Sequence, residues 1–151
     1  MDRLDNRAVG VVCLVALVML LAVAGSTSAA EPEPIQFSGV AAPGGGLVTI
    51  FTVPPKKRLV IEHVSADAPI TGGSRPHLLL RTLLTTPPGP LSHFLVLTRQ
   101  ADNGPATHWL ASQPMRVYAN PDTDVEIQYF CEGCENGFLV TVTVSGVLVK
   151  F

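Results

Sequence analysis

The sequence predicts an all-β protein, an antiparallel two-sheet β-sandwich of about eight or nine strands, with a jelly roll as the favoured topology and an N-terminal signal helix ahead of it. Three observations lead to this fold class. Runs rich in Val, Ile, Leu, Thr and Phe are typical of strands. All thirteen prolines lie after residue 30, and with the glycines they interrupt the chain too often for long helices. No segment long enough for a crossover helix separates the runs, so the strands are expected to pair antiparallel.

Residues 1–30 have the layout of a secretory signal. An uncharged apolar run covers residues 8–24, with a short charged segment before it and small residues after it. Ser28 and Ala30 occupy the positions that a signal peptidase requires to be small. Cleavage after Ala30 makes Glu31 the first residue of the mature chain.

A retained membrane anchor is the alternative interpretation of the apolar run. Its seventeen residues lie at the lower limit of the roughly 17–25 that a span requires. The break at Gly25 and the lack of a basic stop-transfer cluster favour cleavage. The predicted domains are a signal peptide over residues 1–30 and a single β-sandwich domain over residues 31–151, located in the periplasm or outside the cell and free of the membrane.

Turn residues such as Pro-Pro, Pro-Gly-Gly-Gly and Asn-Pro-Asp separate the predicted strands. The run at 91–98 also fits one face of a helix. In chain order the strands are expected at residues 35–40, 47–53, 59–66, 77–85, 91–98, 107–112, 115–119, 125–130 and 138–150.

The last two predicted strands read as a hairpin. Apolar and polar residues alternate along 125–130 and again along the first part of 138–150. After Gly146 the apolar phase moves to the alternate positions from Val147 to Phe151. A glycine at such a change is typical of a β-bulge, so we expect a bulge that redirects the chain between the sheets.

Charge and apolar patterning constrain the partners. The mature chain keeps the net charge of −2, because the signal contains two acidic and two basic residues. A near-neutral chain lacks the dense basic surface of a nucleic-acid-binding protein. Residues 47–53 and 78–84 are apolar on both faces, so the face that does not pack in the core must be shielded from water by another surface. We therefore expect a homo-oligomer.

Cys131 and Cys134 remain in the mature chain, where an oxidising compartment favours a disulfide between them. Free thiols, a metal site and a redox pair are the alternatives. A redox pair needs a helix N-terminus, whereas residues 135–137 lead into a predicted strand. A structural zinc site needs a second ligand pair, which the sequence lacks. The bridge is expected to close the tip of the hairpin.

Trp109 suggests a carbohydrate site. Together with His108 and Tyr118 it could form an aromatic platform for a sugar ring; the alternative is packing of Trp109 in the core or at a sheet edge. Calcium often accompanies such modules. Asp122, Asp124 and Glu126 place alternating carboxylates after a turn. The segment lacks the glycine and the closing glutamate of a calcium-binding loop, so the three are expected to be solvated turn residues.

No catalytic, metal or cofactor residue is predicted. The serines lack the Gly-x-Ser-x-Gly elbow of an exposed nucleophile. The basic cluster of Lys56, Lys57 and Arg58 could meet an anionic glycan or phosphate, although charged turn residues are commonly just solvated. The histidines have no spacing that places two of them on one ligand face; they are His63, His77, His93 and His108.

Three segments carry a family resemblance. Residues 51–66 read FTVPPKKRLVIEHVSA, residues 117–125 read VYANPDTDV and residues 142–149 read VTVSGVLV. This chain resembles small secreted bacterial β-sandwich proteins of unassigned function, which carry such segments. In that group glycine is common where Lys56 stands and an aromatic residue where Val147 stands. The resemblance implies a secreted bacterial sandwich and supplies no catalytic residue.

The function expected from the sequence is that of a secreted, non-enzymatic binding or structural module that self-associates and binds a glycan or protein ligand. A carbohydrate-binding module using Trp109 is the first alternative. A metal-dependent secreted enzyme is the second.

Overall fold

The computed structural model describes residues 31–42, 46–70, 75–85, 88–100, 106–131 and 139–151, so the predicted signal, residues 1–30, lies outside it. The described residues contain no helix, and so none that could span a membrane. Within these ranges the strands are β1 (Glu33–Ala41), β2 (Leu47–Thr52), β3 (Lys57–Ile70), β4 (Pro76–Thr85), β5 (Pro88–Leu95), β6 (Thr98–Arg99), β7 (Thr107–Ala119), β8 (Asp124–Cys131) and β9 (Val140–Lys150).

The strands form two antiparallel sheets, which confirms the predicted fold class. One sheet has five strands in the order β1-β9-β3-β7-β6, and the other has four in the order β2-β8-β4-β5. The strand pairs are nested in the sequence. The innermost pair is β4 with β5, and around it lie β3 with β7, β2 with β8 and β1 with β9. The chain is thus one long double-stranded ribbon, which rolls up so that β9 also pairs with β3, and β8 with β4. A ribbon wound into two sheets is the jelly roll.

The core lies between the sheets, where alternate residues of each strand are buried. Along β8, Val125, Ile127 and Tyr129 are buried, and Tyr129 is the largest fully buried side chain. Its burial raises the pKa of the phenol above the ordinary value of 10.0. Each fully buried Val, Leu or Ile contributes roughly 1.5–3 kcal/mol relative to exposure.

The predicted hairpin of the last two strands is wrong. β8 pairs with β2 and β4 in the four-stranded sheet, whereas β9 pairs with β1 and β3 in the five-stranded sheet. Both strands bury one apolar face, so their alternation fits either partner. Packed sheets lie only about 10 Å apart, a distance that the connecting residues 132–138 are long enough to cross.

Two predicted strand boundaries also need correction. The separate strands expected at 107–112 and 115–119 form the single strand β7, which includes Pro114. Beside Pro114 the register with β3 shifts. The outer neighbour of β7, the two-residue β6, pairs only with Trp109 and Leu110, so Pro114 lies on a stretch of β7 that has no described outer partner, where proline is tolerated. The strand expected at 91–98 divides at Val96 and Leu97, where the chain passes from β5 in one sheet to β6 in the other.

The region of Gly146 contains a bulge, but it does not redirect β9 as expected. The extra residue lies on the neighbouring strand β3, at Glu62, and β9 stays in one sheet. Buried residues continue in phase past Gly146 to Leu148, which is 4% exposed. Gly146 instead allows β9 to lie close to β3, because a Cβ at this position would overlap the carbonyl oxygen of Val60.

Two turns meet at one end of the sandwich. Before β3, the amide of Lys57 donates to the carbonyl of Pro54 at 3.2 Å, and Lys56 has a φ of 62°. The turn before β8 joins it through the amide of Val53, which donates to the carbonyl of Thr123 at 2.9 Å. This junction fixes the backbone on which the candidate site is built.

Candidate functional site

A cavity of about 340 Å³ opens beside these turns, between β7 of one sheet and β4 and β5 of the other. We call it the arginine pocket. Its volume lies at the small end of the roughly 300–1,000 Å³ typical of small-molecule sites. Its lining combines apolar side chains with a few polar groups: Arg58, Leu84, Leu91, His93, Arg116, Val117, Tyr118, Asn120 and Phe151.

Arg58 is held over an aromatic ring. It lies next to the turn at the start of β3, and its guanidinium carbon is 4.1 Å from the ring centroid of Phe151, a cation–π arrangement. The amide of Phe151 donates to the carbonyl of Lys56 at 2.9 Å, so the same turn holds the backbone of Phe151. The Nε of Arg58 is buried and has no hydrogen-bond partner among the described residues.

From β7 the pocket is lined by the buried Val117 and by two residues of the opposite strand face, Arg116 and Tyr118. Both are exposed, whereas Val117 and Ala119 are buried. In the described part of the chain no carboxylate lies within 4 Å of either pocket arginine, in contrast to Arg81, whose Nε is 3.6 Å from Glu126. The pocket therefore carries two positive charges that no neighbouring acid offsets.

His93 supplies a neutral polar group. Desolvation by burial lowers the pKa of its imidazole below the ordinary value of 6.5, so the ring is uncharged at neutral pH. Its Nε2 is buried without a hydrogen-bond partner in the described ranges. Two buried nitrogens, Arg58 Nε and His93 Nε2, thus face an unmet requirement for a hydrogen bond.

The structure does not bring together the three residues of the predicted sugar platform. Trp109 and Tyr118 stand nine residues apart on β7, roughly 30 Å at about 3.3 Å per residue, and on opposite faces. Trp109 packs against the core. His108 Nδ1 lies 3.0 Å from Asp67 Oδ1. Tyr118 alone lines the arginine pocket.

The other candidate ligands have separate roles. The described residues contain no group of three His, Cys, Asp or Glu side chains able to hold a metal ion. Asp124 accepts a hydrogen bond from Thr52 at 2.6 Å, and Glu126 pairs with Arg81. Asp122 occupies the turn at a φ of 57°. The acidic residues are therefore spread along the turn and β8.

The outer face of the five-stranded sheet carries one serine–histidine contact. His63 Nε2 lies 3.1 Å from Ser112 Oγ, within reach for a nucleophile and its base. Among the described residues no third group is bonded to the other ring nitrogen. Without that orienting group the contact falls short of a catalytic triad.

Cys131 ends β8 and packs partly buried against the core, whereas Cys134 lies outside the described residues. The basic cluster is divided. Lys57 pairs with Glu33, Lys56 stays in the turn, and only Arg58 reaches the pocket.

Sequence reasoning did not single out Arg116, and considered His93 as a metal ligand and, beside Ser92, as part of a nucleophilic site, but not as part of a binding pocket. The alternation along β7 does place Arg116 outside the core, but the sequence carries no signal that four separate strands meet around it.

No family model and no curated protein matches this chain. Among solved structures, it is similar to a chain described as "Structure of infectious bursal disease virus Gt strain", with 13% sequence identity and a TM-score of 0.40. The match covers 80% of this chain and 33% of that one, so the chain spans about a third of that protein's length.

Proposed function

We propose that the chain is a secreted, non-enzymatic module that binds a small organic molecule in the arginine pocket. One observation carries the proposal. Arg58 and Arg116 line a largely apolar cavity, and no carboxylate among the described residues lies within 4 Å of either arginine. A mostly apolar cavity with a few charged or polar groups is the usual form of a small-molecule site.

The pocket lining favours binding over catalysis. Its nine side chains include no serine, threonine, cysteine, lysine or carboxylate, the usual groups for covalent chemistry. His93 is the lone side chain there that suits acid–base work near neutral pH, and no partner in the lining forms a nucleophile–base pair with it.

A thermal-shift screen tests the binding function. The protein beginning at Glu31 would be screened against neutral, anionic and cationic small molecules, alongside Leu91→Trp, which narrows the pocket. Val96→Trp is the matched control, because Val96 is 61% exposed and lies outside the lining. We expect at least one class to raise the Tm of the wild type and of Val96→Trp but not of Leu91→Trp. No shift with any class would contradict the proposal.

Self-association is the second part of the proposed function. On the outer face of the four-stranded sheet, a row crosses all four strands: Leu47 opposite Gln128, Gln128 opposite Leu79, and Leu79 opposite Phe94. Phe94 is 73% exposed, and Phe130 on the same sheet is 38% exposed. Exposed apolar side chains on one sheet face, here interrupted by the polar Gln128, favour an interaction surface.

A second copy of this chain is the occupant that the charges favour. Beside the apolar row, Arg81 and Glu126 pair across β4 and β8, so the face carries both signs and does not repel a copy of itself. Sedimentation equilibrium should show an oligomer that Phe94→Ser converts to a monomer. Val40→Ser, on the edge strand β1 of the other sheet, should leave it unchanged. A monomeric wild type would reject self-association.

Secretion rests on the layout of residues 1–30. The intact mass of the exported protein should match a chain that begins at, or within a residue or two of, Glu31. Recovery of the full-length chain in washed membranes would establish the anchor instead.

A further inference from the structure

We propose that the arginine pocket selects a small organic acid, with its carboxylate between Arg58 and Arg116 and an apolar, ring-sized body against the pocket wall. This inference rests on the proposed binding function and adds the chemical class of the ligand.

The charge of the pocket indicates an anion. Two arginines line one cavity, and none of the nine lining residues is acidic. His93 adds no positive charge at neutral pH, because burial lowers the pKa of its imidazole. Like charges held at one site repel each other, and an anion placed between them relieves that repulsion. This positive charge is a local feature of the pocket, because the whole chain has a net charge of −2.

The geometry of the donors favours a carboxylate. A guanidinium is a planar fork that donates two parallel hydrogen bonds to a carboxylate, and it is always charged. Stacking on Phe151 fixes the position of the Arg58 fork, so less side-chain entropy is lost when a ligand binds.

The other residues of the pocket wall favour an apolar part in the ligand. Leu84, Leu91 and Val117 are aliphatic, and Tyr118 adds an aromatic ring. A bare inorganic ion would leave these surfaces in contact with water. The cavity of about 340 Å³ equals roughly eleven water molecules at about 30 Å³ each, which suits a one- or two-ring molecule.

Two pairs of isosteric probes test the charge requirement. Benzoate is compared with benzamide, and 1-naphthoate with 1-naphthamide, by NMR titration of the protein beginning at Glu31. At least one carboxylate should bind ten or more times tighter than its amide, with shifts centred on the pocket. Inorganic phosphate should bind more weakly than that carboxylate, because it has no apolar body.

Arginine variants locate the site. Arg58→Gln and Arg116→Gln should each weaken carboxylate binding about tenfold, whereas Arg75→Gln, at an exposed position outside the lining, should leave it unchanged. Arg116 is exposed, so its variant keeps the test valid if Arg58→Gln does not fold.

The outcomes separate the two proposals. Equal binding of amide and carboxylate would overturn the organic-acid inference and leave the binding function standing. Phosphate binding as tight as that of the carboxylates would reject the apolar body. Failure of all five probes would overturn the inference, and only failure of the whole thermal-shift panel would overturn the function as well.

Discussion

Gly146 lies so close to the backbone of β3 that a side chain has no room. A Cβ there would overlap the carbonyl oxygen of Val60 and lie 3.0 Å from its carbonyl carbon. Gly146→Ala should therefore lower the free energy of unfolding by about 3 kcal/mol, since the obstacle is backbone that cannot rotate away. Gly46→Ala is the control, because a Cβ at Gly46 meets nothing within 4 Å. Urea unfolding of the two variants should separate them clearly; equal midpoints would refute the close approach.

Thr82 is a buried polar residue whose hydroxyl is unsatisfied. It is fully buried in β4, opposite Val125 on one side and Leu91 on the other, and its Oγ1 has no hydrogen-bond partner in the described ranges. Replacing the hydroxyl with a methyl group in Thr82→Val should raise stability by about 1 kcal/mol, because an unpaired buried hydroxyl is costly. The exposed Thr49→Val should change stability by less than about 0.5 kcal/mol. A loss of stability in Thr82→Val, measured by thermal unfolding, would show that the hydroxyl is satisfied in solution.

His93 links the pocket to pH. Burial lowers its pKa in the folded protein, so the unfolded chain takes up the proton first as the pH falls. The free energy of unfolding should therefore decrease progressively as the pH falls from about 6.5 toward the lowered pKa of His93 in the folded protein. His93→Gln should show a shallower loss between pH 7.5 and 5 in urea unfolding. The same slope in both proteins would contradict this assignment.

The residues of the pocket show what the sequence can and cannot predict. Arg58 belongs to the basic cluster that suggested an anion partner, but its neighbours Lys56 and Lys57 do not enter the pocket. Lys56 adopts a φ of 62°, a conformation that glycine reaches without steric cost. Arg116 reads only as a solvent-facing strand residue, because nothing local reveals what packs beside it.

At the scale of the strands, local periodicity was sufficient to place most elements. The breakers between the strands and the alternation within them are short-range signals, and both survive in the fold. Pairing is long-range, so the hairpin assigned to β8 and β9 was wrong although both strands were placed well. Pro114 misled for a similar reason: a proline interrupts a central strand but is tolerated at an unpaired edge.

The cysteine pair belongs to the connection between the two sheets. Cys131 ends β8, and the predicted bridge to Cys134 would close a small ring in the crossing to β9. Replacing both cysteines with serine should lower stability by no more than about 2 kcal/mol and leave the fold intact, since so short a loop removes little entropy from the unfolded chain. Thiol titration of unfolded, unreduced protein should find no free thiol. Two reactive thiols would reject the bridge and reopen the metal and redox interpretations.

Across the whole molecule, two proposed surfaces lie on different parts of the sandwich. The arginine pocket uses residues of both sheets beside the joined turns, whereas the apolar row uses the outer face of the four-stranded sheet. Leu91 and His93 of the pocket share β5 with Phe94 of the row. A variant that disrupts self-association should therefore be tested for benzoate binding as well, and Phe94→Ser should retain it, because Phe94 does not line the cavity.

The ribbon topology also sets the order in which the chain can fold. Among the described residues β1 has a single strand partner, β9, with Glu33 opposite Leu148. β1 therefore cannot pair until β9 has been synthesised. β4 pairs with β5, and β6 with β7, across short connections, whereas the pairs of β3 with β7, β2 with β8 and β1 with β9 close progressively longer loops at growing entropic cost. Such non-local pairing folds slowly, on the order of milliseconds to seconds. Nascent chains released at increasing lengths should become protease-resistant only once β9 is complete, because β9 is the sole strand partner of β1 among the described residues.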